Sequence, residues 1–187
     1  MKFNPIALIP MVLLSSCYWS LPQTPSGLEE CLFVPDSVTS GDRLQVVCDR
    51  RELTIDLCGM VAPDMRQPFG IEARDHLRSL IAQGDREHGR IRVTLFAVQE
   101  NIYEKRVNRV ANVSIPRRSQ NLSEIHLNSR MTSDGYGWKF KRYGKECPSD
   151  FSIAEGQAIA QDKKIGLWAD PKAIAPWQWR QEYYKRR

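Results

Sequence analysis

Alternating and apolar runs along the chain predict five short strands. The runs are rich in β-branched residues and are bounded by turn-forming residues such as Ser40-Gly41-Asp42. They lie at residues 31–34, 44–48, 53–58, 91–95 and 111–115. In the last two runs every second residue is apolar, which is typical of a strand with one buried face.

Helical patterns occur in three other places. Between the third and fourth strands, four apolar residues recur at the spacing of one helical face: Ala73, Leu77, Leu80 and Ile81. A second helix is expected near residues 127–134, ending at Gly135. A third is expected from Ser152 to Gly166, because Ser152 and Glu155 form a capping-box pattern. This order predicts an α+β, mainly β fold: a five-stranded Greek-key barrel of the OB-fold type with about three helices.

The chain opens on an apolar run that is too short to cross a bilayer. Residues 3–14 are largely apolar, whereas a spanning helix needs roughly 20 residues. The run resembles a signal peptide and ends in Leu14-Ser15-Ser16-Cys17, which resembles a bacterial lipobox. We expect cleavage before Cys17 and lipidation of this cysteine; a plain secretory signal with a chance cysteine is the alternative. The expected location is the bacterial cell envelope, outside the cytoplasm, with a lipid anchor in a membrane.

These features divide the chain into four segments. We expect a lipoprotein signal peptide at residues 1–16 and a tether at residues 17–28. The barrel domain is expected at residues 29–181, and a basic tail at residues 182–187. Apart from Cys17 four cysteines remain, an even number that suits an oxidising compartment. At least one disulfide is expected among them, with all three pairings open: Cys31, Cys48, Cys58 and Cys147.

Composition and charge narrow the class of partner. With 187 residues, 42% of them hydrophobic, the chain suffices for one well-buried domain but is short for two. The net charge of +5 and the pI near 9.0 favour a polyanionic partner, either nucleic acid or an anionic membrane surface. We expect a monomer.

Basic and aromatic residues are interleaved from Trp138 to Tyr143, which suits base stacking and phosphate contact. The alternative is that Trp138 and Phe140 pack in the core.

Six short motifs follow one another along the chain. They are Gly41-Asp42 and residues 56–64, 67–73, 135–138, 166–168 and 176–180. In this order they resemble the staphylococcal nuclease (thermonuclease) family, with the chain similar to a lipoprotein-type bacterial member over residues 31–180. The resemblance implies the OB-fold barrel and calcium-dependent hydrolysis of nucleic-acid phosphodiester bonds. In such chemistry carboxylates hold the cation and orient water, while two arginines bind phosphate oxygens.

The resemblance also assigns roles to four residues of this chain. Asp42 matches a metal-ligand aspartate, with calcium as the implied cofactor. Asp64 stands where the family has its catalytic glutamate and is shorter by one methylene. Lys141 and Tyr143 match the region that contacts the substrate. Alternatively, Asp42 serves only to form its turn, and Asp64 serves only to cap the chain where it approaches the helix.

Three further positions depart from the family pattern. Val61 replaces the second metal-ligand aspartate and cannot bind a hard cation. Asp56 replaces the strand arginine, and Asn108 replaces the later arginine. Two candidate substitutes for the later arginine lie nearby. Arg106 is two residues away and so on the same strand face, and Arg109 could serve through a one-residue bulge.

The strand arginine has no such substitute, because no basic residue lies between positions 53 and 59. We therefore expect calcium affinity and catalysis to be weak or lost, which leaves enzyme activity open. The alternative function is a non-catalytic envelope module that binds an oligonucleotide, another anionic ligand or a protein.

Overall fold

The computed structural model of the protein describes residues 28–88, 90–101, 108–117, 124–141 and 147–186, without the side chains of residues 96–101 and 108. The expected signal peptide, Cys17, Arg106 and Tyr143 lie outside the described residues. Within the described ranges, each helix is too short or too polar to cross a bilayer.

The described part of the chain forms nine strands and four helices. The strands are β1 Glu29–Phe33, β2 Arg43–Cys48, β3 Arg51–Leu57, β4 Met60–Val61, β5 Arg86–Glu87, β6 Arg90–Asn101, β7 Asn108–Pro116, β8 Glu124–His126 and β9 Trp138–Lys139. The helices are α1 Gly70–Ile81, α2 Leu127–Ser133, α3 Asp150–Lys163 and α4 Pro176–Lys185, and a 3₁₀ turn spans Gly166–Ala169. The five predicted strands correspond to β1, β2, β3, β6 and β7.

These five strands close into a barrel. Antiparallel pairs join β1 to β2, β2 to β3, β1 to β6 and β6 to β7. A parallel pair between β3 and β7 completes the ring. A register shift between Phe96 and Gln99 interrupts the β6–β7 ladder, as a bulge does where a strand must bend. The predicted OB-fold barrel is confirmed.

The core is built from the alternating residues of the strands and from one face of α1. Leu44, Ile55 and Leu95 are fully buried inside the barrel. The predicted face of α1 is buried as well: Ala73, Leu77, Leu80 and Ile81. Burying each leucine or isoleucine stabilises the fold by about 1.5–3 kcal/mol relative to leaving it exposed.

The predicted cap of the third helix is wrong. α3 begins at Asp150, so Ser152 lies in its first turn, where its Oγ donates a 3.0 Å hydrogen bond to the carbonyl of Ser149. The chain turns earlier because the N–H of Asp150 bonds to the carbonyl of Cys147 at 2.9 Å. The helix also ends before Gly166, since Lys164 already adopts a left-handed conformation with a φ of 52°.

The sequence patterns do not predict α4, which packs through aromatic rings. Pro176 occupies its first turn, where the missing N–H costs nothing. Trp177 stacks on Phe140 at 5.0 Å between ring centroids and meets Trp138 edge-on at 6.1 Å. Trp138 and Phe140 therefore act as packing residues that attach α4 to β9. The helix continues to Lys185, within the segment expected as a basic tail.

Two disulfides use all four cysteines of the described domain. Cys31–Cys48 joins β1 to β2, with Cα atoms 4.5 Å apart. Cys58–Cys147 joins the end of β3 to the start of α3, with Cα atoms 5.7 Å apart. The structure thus selects one of the three open pairings, and the prediction of at least one disulfide is confirmed.

A buried asparagine on α2 ties together the seam between β3 and β7. Asn128 is 1% exposed. Its Nδ2 donates to the carbonyls of Cys58 at 2.9 Å and Ala111 at 3.1 Å, and its Oδ1 accepts the N–H of Val113 at 2.9 Å. One side chain therefore bonds to three backbone groups at the point where the parallel β3–β7 ladder ends, after Leu57 and Ala111.

Replacing this asparagine by a leucine of similar size should be costly. We expect Asn128→Leu to lower the free energy of unfolding by about 3 kcal/mol, because buried backbone groups lose their partner. Thr132→Val is the matched control: Thr132 is equally buried on α2, but its hydroxyl donates within its own helix, to Ser129 at 2.8 Å. Urea unfolding of both variants is the measurement, and equal losses would contradict this role of Asn128.

Candidate functional site

Two loops meet beside the start of α1 and carry the two carboxylates to which the family resemblance points. Gly41 permits the close approach: a Cβ atom there would lie 2.7 Å from the Cβ of Ala73 and 2.8 Å from that of Ala62. The next residue, Asp42, accepts a 3.4 Å hydrogen bond through Oδ2 from the N–H of Ala62. The Asp42 loop is therefore fixed to the segment that leads into Asp64.

Asp42 is held by contacts to both its side chain and its backbone. Its Oδ1 accepts a 2.7 Å hydrogen bond from the hydroxyl of Ser40. Its carbonyl accepts the N–H of Leu57, at the end of β3, at 2.9 Å. Both carboxylate oxygens accept hydrogen bonds from neighbouring groups of the protein, which orients the carboxylate.

Asp64 belongs to a tight turn. Its Oδ1 accepts the N–H of Arg66 at 3.1 Å, and its carbonyl accepts the N–H of Gln67 at 2.8 Å. The N–H of Asp64 in turn donates to Oε1 of Gln67 at 3.3 Å. Gly70 follows so closely that a Cβ atom there would collide with the carbonyl oxygen of Asp64. These turn contacts support the alternative role of Asp64, which is to cap the approach to α1.

The aspartate at the strand-arginine position is not left as a bare negative charge. Asp56 is 1% exposed and forms a bidentate ion pair with Arg43. The Nε of Arg43 donates to Oδ1 at 2.6 Å, and Nη2 donates to Oδ2 at 3.1 Å. Such a paired geometry is the strongest that arginine and a carboxylate adopt. The cation missing from β3 is thus supplied by the neighbouring strand.

Sequence reasoning missed Arg43, although a signal was present. In the β2–β3 hairpin Cys48 pairs with Arg51, and the same register sets Arg43 opposite Asp56. Facing side chains in such a pair lie within contact distance. Counting the register back from the turn would have found the arginine, which follows Asp42 directly. The side chain of Arg43 is 36% exposed, so part of it reaches the surface.

The described side chains do not fit a calcium site. Calcium takes six to eight oxygen ligands. Val61 is buried in β4, in register with Trp138 of β9, and offers an aliphatic side chain. Among the described residues no three histidine, cysteine, aspartate or glutamate side chains converge as a metal site would require. Asp42 is therefore left without the second carboxylate that the family pattern places at Val61.

The other predicted positions fall into separate places. Arg109 pairs in register with Ile55, on the interior face, and its Nη1 lies 3.3 Å from Oε2 of Glu29. Asp56 is the next residue of β3 after Ile55, and successive side chains of a strand point to opposite faces. Arg109 therefore lies on the opposite face of the sheet from Asp56. This position does not support Arg109 as a substitute for the later family arginine. Asn108 begins β7, and its side chain lies outside the described residues. Lys141 is exposed just beyond β9.

A second charged cluster, on α1 and α2, is structural. Oδ2 of Asp134 lies 2.7 Å from Nε2 of His76 and accepts a 2.7 Å hydrogen bond from Nε of Arg130. The ring of His76 also stacks on Tyr136, 4.4 Å away. Burial alone raises the pKa of Asp134, but the hydrogen bonds from His76 and Arg130 outweigh burial and hold the pKa below its ordinary value.

This depressed pKa gives a pH dependence with a definite sign. The ionised Asp134 stabilises the fold above the ordinary aspartate pKa of about 3.9, and that stabilisation is lost as the pH falls through the lower, folded-state pKa. We expect Asp134→Asn to cost about 1.5 kcal/mol at neutral pH and to cost much less at the acid end of the range. Asp162→Asn, an exposed α3 residue, is the control. A constant difference between Asp134→Asn and the natural sequence in urea unfolding at all pH values would contradict this role.

Comparison with known proteins gives the same family along most of the chain. The family model described as staphylococcal nuclease homologue matches residues 54–170, more than half of the chain. The micrococcal nuclease of Shigella flexneri is 29% identical over 151 residues, which cover 76% of this chain and 76% of that protein. Protein ParB of Escherichia coli is 28% identical over 150 residues, covering 80% and 79%. An uncharacterized endonuclease of Escherichia coli is 27% identical over 143 residues, covering 76% and 80%.

Proposed function

Because this chain belongs to the staphylococcal nuclease family, we propose that it binds nucleic acid at the Asp42–Asp64 end of the barrel and hydrolyses phosphodiester bonds only weakly. The proposal of weak activity rests on one observation. The segment from β3 to β4 presents Asp56 in a buried ion pair and Val61 in the core, where the resemblance expects a phosphate-binding arginine and a metal ligand. Neither side chain can perform the expected task.

The remaining charged residues are better suited to binding a phosphate group than to catalysing its hydrolysis. Arg43 follows Asp42 in the sequence, is oriented by Asp56 and is partly exposed, so it offers an oriented guanidinium for a phosphate oxygen. The carboxylate of Asp56 cancels much of its charge, which lowers the stabilisation that Arg43 could give to a more negative transition state. Since the described side chains do not fit calcium, we propose that calcium affinity is low.

A non-catalytic module for oligonucleotides or other anionic ligands is the second candidate. The same aliphatic Val61 favours it, because a site that lacks a metal ligand can retain phosphate contacts. The net charge of +5 supports either candidate. The two differ in one outcome only, which is whether bound nucleic acid is cut.

One experiment on the purified protein separates these candidates. Fluorescent single-stranded DNA is titrated between roughly 50 and 200 mM salt, because phosphate contacts weaken steeply over that range. The same DNA is then incubated with calcium, with Asp42→Asn as the matched variant. Slow cutting that disappears in Asp42→Asn supports the weak nuclease. Salt-dependent binding without any cutting supports the binding module. Absence of both binding and cutting contradicts both candidates.

We also propose that the mature protein begins at Cys17 and is held to a bacterial envelope membrane by acyl chains on this residue. The support is the short apolar run that ends in Leu14-Ser15-Ser16-Cys17. The intact mass of detergent-extracted protein should correspond to a chain that starts at residue 17 and carries acyl groups. Cys17→Ser should abolish both the acylation and the extraction with membranes. Soluble, unmodified natural protein would contradict the anchor.

A further inference from the structure

A cavity of about 290 Å³ opens beside the Asp64 turn. One side is formed by the residues that lead into α1, and the other by the segment between the 3₁₀ turn and α4. The residues that matter for its chemistry are Gln67, Phe69, Trp138, Asp170, Lys172 and Trp179. Its volume is just below the roughly 300–1,000 Å³ typical of sites for drug-sized ligands, so it suits one planar ring system.

Three aromatic residues line this cavity, and two of them are held by contacts with other rings. Trp179 stacks on Tyr183 with 4.9 Å between ring centroids, and Tyr183 is itself covered by Arg66 at 5.4 Å. Trp138 packs on Trp168 at 4.2 Å. These two rings are therefore oriented before any ligand binds. Nucleobases stack on such rings regardless of sequence, because every base has a π face.

The third ring sits on a strained backbone. Phe69 has a φ of 68°, a left-handed conformation that is costly for a bulky residue. The next residue, Gly70, is packed against the carbonyl of Asp64. Strain of this kind persists only where the surrounding structure enforces it, and it is concentrated at binding sites. Here it places an aromatic residue in the cavity wall next to Asp64.

The polar groups favour a base over a phosphate inside the cavity. The carboxylate of Asp170 accepts the N–H of Lys172 at 2.8 Å, and a carboxylate repels phosphate while it can accept N–H groups of a base. Lys172 is exposed, so its ammonium can contact a backbone phosphate outside. Gln67 connects the two regions, since its Nε2 donates to Ile174 at 2.7 Å while its Oε1 accepts the N–H of Asp64 at 3.3 Å.

We infer that this cavity is a nucleobase subsite, which takes one unpaired base of a single-stranded nucleic acid against Trp179, Trp138 and Phe69. The inference rests on the proposed function, because it assumes that nucleic acid binds at the Asp42–Asp64 end of the barrel. The base would fix the strand so that the adjoining phosphate lies at the Asp64 turn. Specificity would be for a single strand over a duplex, since a paired base cannot enter.

The test compares a short single-stranded oligonucleotide with the same backbone made abasic, in chelator so that neither is cut. The full chain should bind the base-containing strand about tenfold more tightly than the abasic one. Trp179→Leu should remove this preference and leave the affinity for the abasic strand unchanged, which also shows that the variant folds. Trp179→Phe should keep most of the preference. Phe151→Leu is the control, because Phe151 is an exposed aromatic residue on α3 outside the cavity wall.

Each outcome decides a different question. A preference lost in Trp179→Leu and kept in Phe151→Leu supports the subsite. Equal binding of the two strands by the natural sequence, or equal effects of the two leucine variants, overturns the subsite and leaves nucleic-acid binding intact. Failure of the natural sequence to bind either strand overturns the proposed function, and the subsite with it.

Discussion

Single-stranded DNA should be cut in calcium on the order of 10³-fold faster by the combined variant Arg43→Ser, Asp56→Arg, Val61→Asp, Asn108→Arg than by the natural sequence. The variant places an oxygen ligand in β4 and an arginine at each of the two positions that the family resemblance assigns to phosphate binding. Transition-state arginines in phosphoryl transfer are each worth a factor of roughly 10³ to 10⁵, so recovery of even part of their effect is easily measured.

Arg43 must be changed along with the other three positions. It lies opposite Asp56 in the β2–β3 pair, so Asp56→Arg alone would set two guanidinium groups face to face. Like charges directly opposite each other destabilise a sheet. We therefore expect the version that retains Arg43 to unfold at lower urea concentration and to cut DNA more slowly than the combined variant. Each single change should recover little, because residues that act as a unit are strongly non-additive.

Two comparisons make this expectation decisive. The micrococcal nuclease of Shigella flexneri, a relative by sequence, sets the reference rate under the same conditions. Asp42→Asn in the combined background should return the rate to that of the natural sequence. If the natural sequence already cuts as fast as the reference, and Asp42→Asn abolishes this cutting, the proposal of a weakened site is wrong.

Removal of the Cys58–Cys147 disulfide should lower the free energy of unfolding by about 4.6 kcal/mol, against about 3.1 kcal/mol for Cys31–Cys48. The difference follows from the closed loops, which span 89 and 17 residues. A longer loop loses more conformational entropy when it is closed in the unfolded chain. The shorter bridge is a matched control, because all four cysteines are buried and each double serine variant removes one bond.

Urea unfolding of the two double serine variants measures this difference. The slope of the free energy against urea must be compared as well, because an unfolded chain without the long cross-link exposes more surface. Equal destabilisation by the two variants, or a larger loss from the Cys31–Cys48 variant, would contradict the expected order. Thiol counting on denatured natural protein gives an independent check, since none of the four domain cysteines should react.

The barrel could be predicted because each of its strands repeats the same physical pattern. Leu44 and Val46 of β2, or Ile55 and Leu57 of β3, are apolar at every second position and fill the interior. The short pair β4–β9 has no such signal, because two-residue strands are too short to show a period. α4 escaped prediction for another reason: its contacts are aromatic rings from distant segments, which local periodicity does not record.

The sequence points to single residues of the candidate site but does not show which residues pair with them. The substitutions at Asp56 and Val61 can be read from the sequence alone, and the structure adds what surrounds them. The cation for Asp56 comes from Arg43, which is adjacent only once the hairpin register is set. Arg109 has the right position in sequence, but its face of the strand is decided by its register with Ile55.

The ion pair between Arg109 and Glu29 sets a practical limit on how the protein can be shortened. The two side chains are only 5% and 15% exposed, inside one end of the barrel. A fragment that begins at residue 31 would retain Cys31 and most of β1. It would lack the carboxylate of Glu29, which is an ion-pair partner of the almost fully buried guanidinium of Arg109. Breaking a buried pair in this way typically costs about 3–5 kcal/mol. Expression boundaries should therefore be placed before Glu29, even where the tether itself is dispensable.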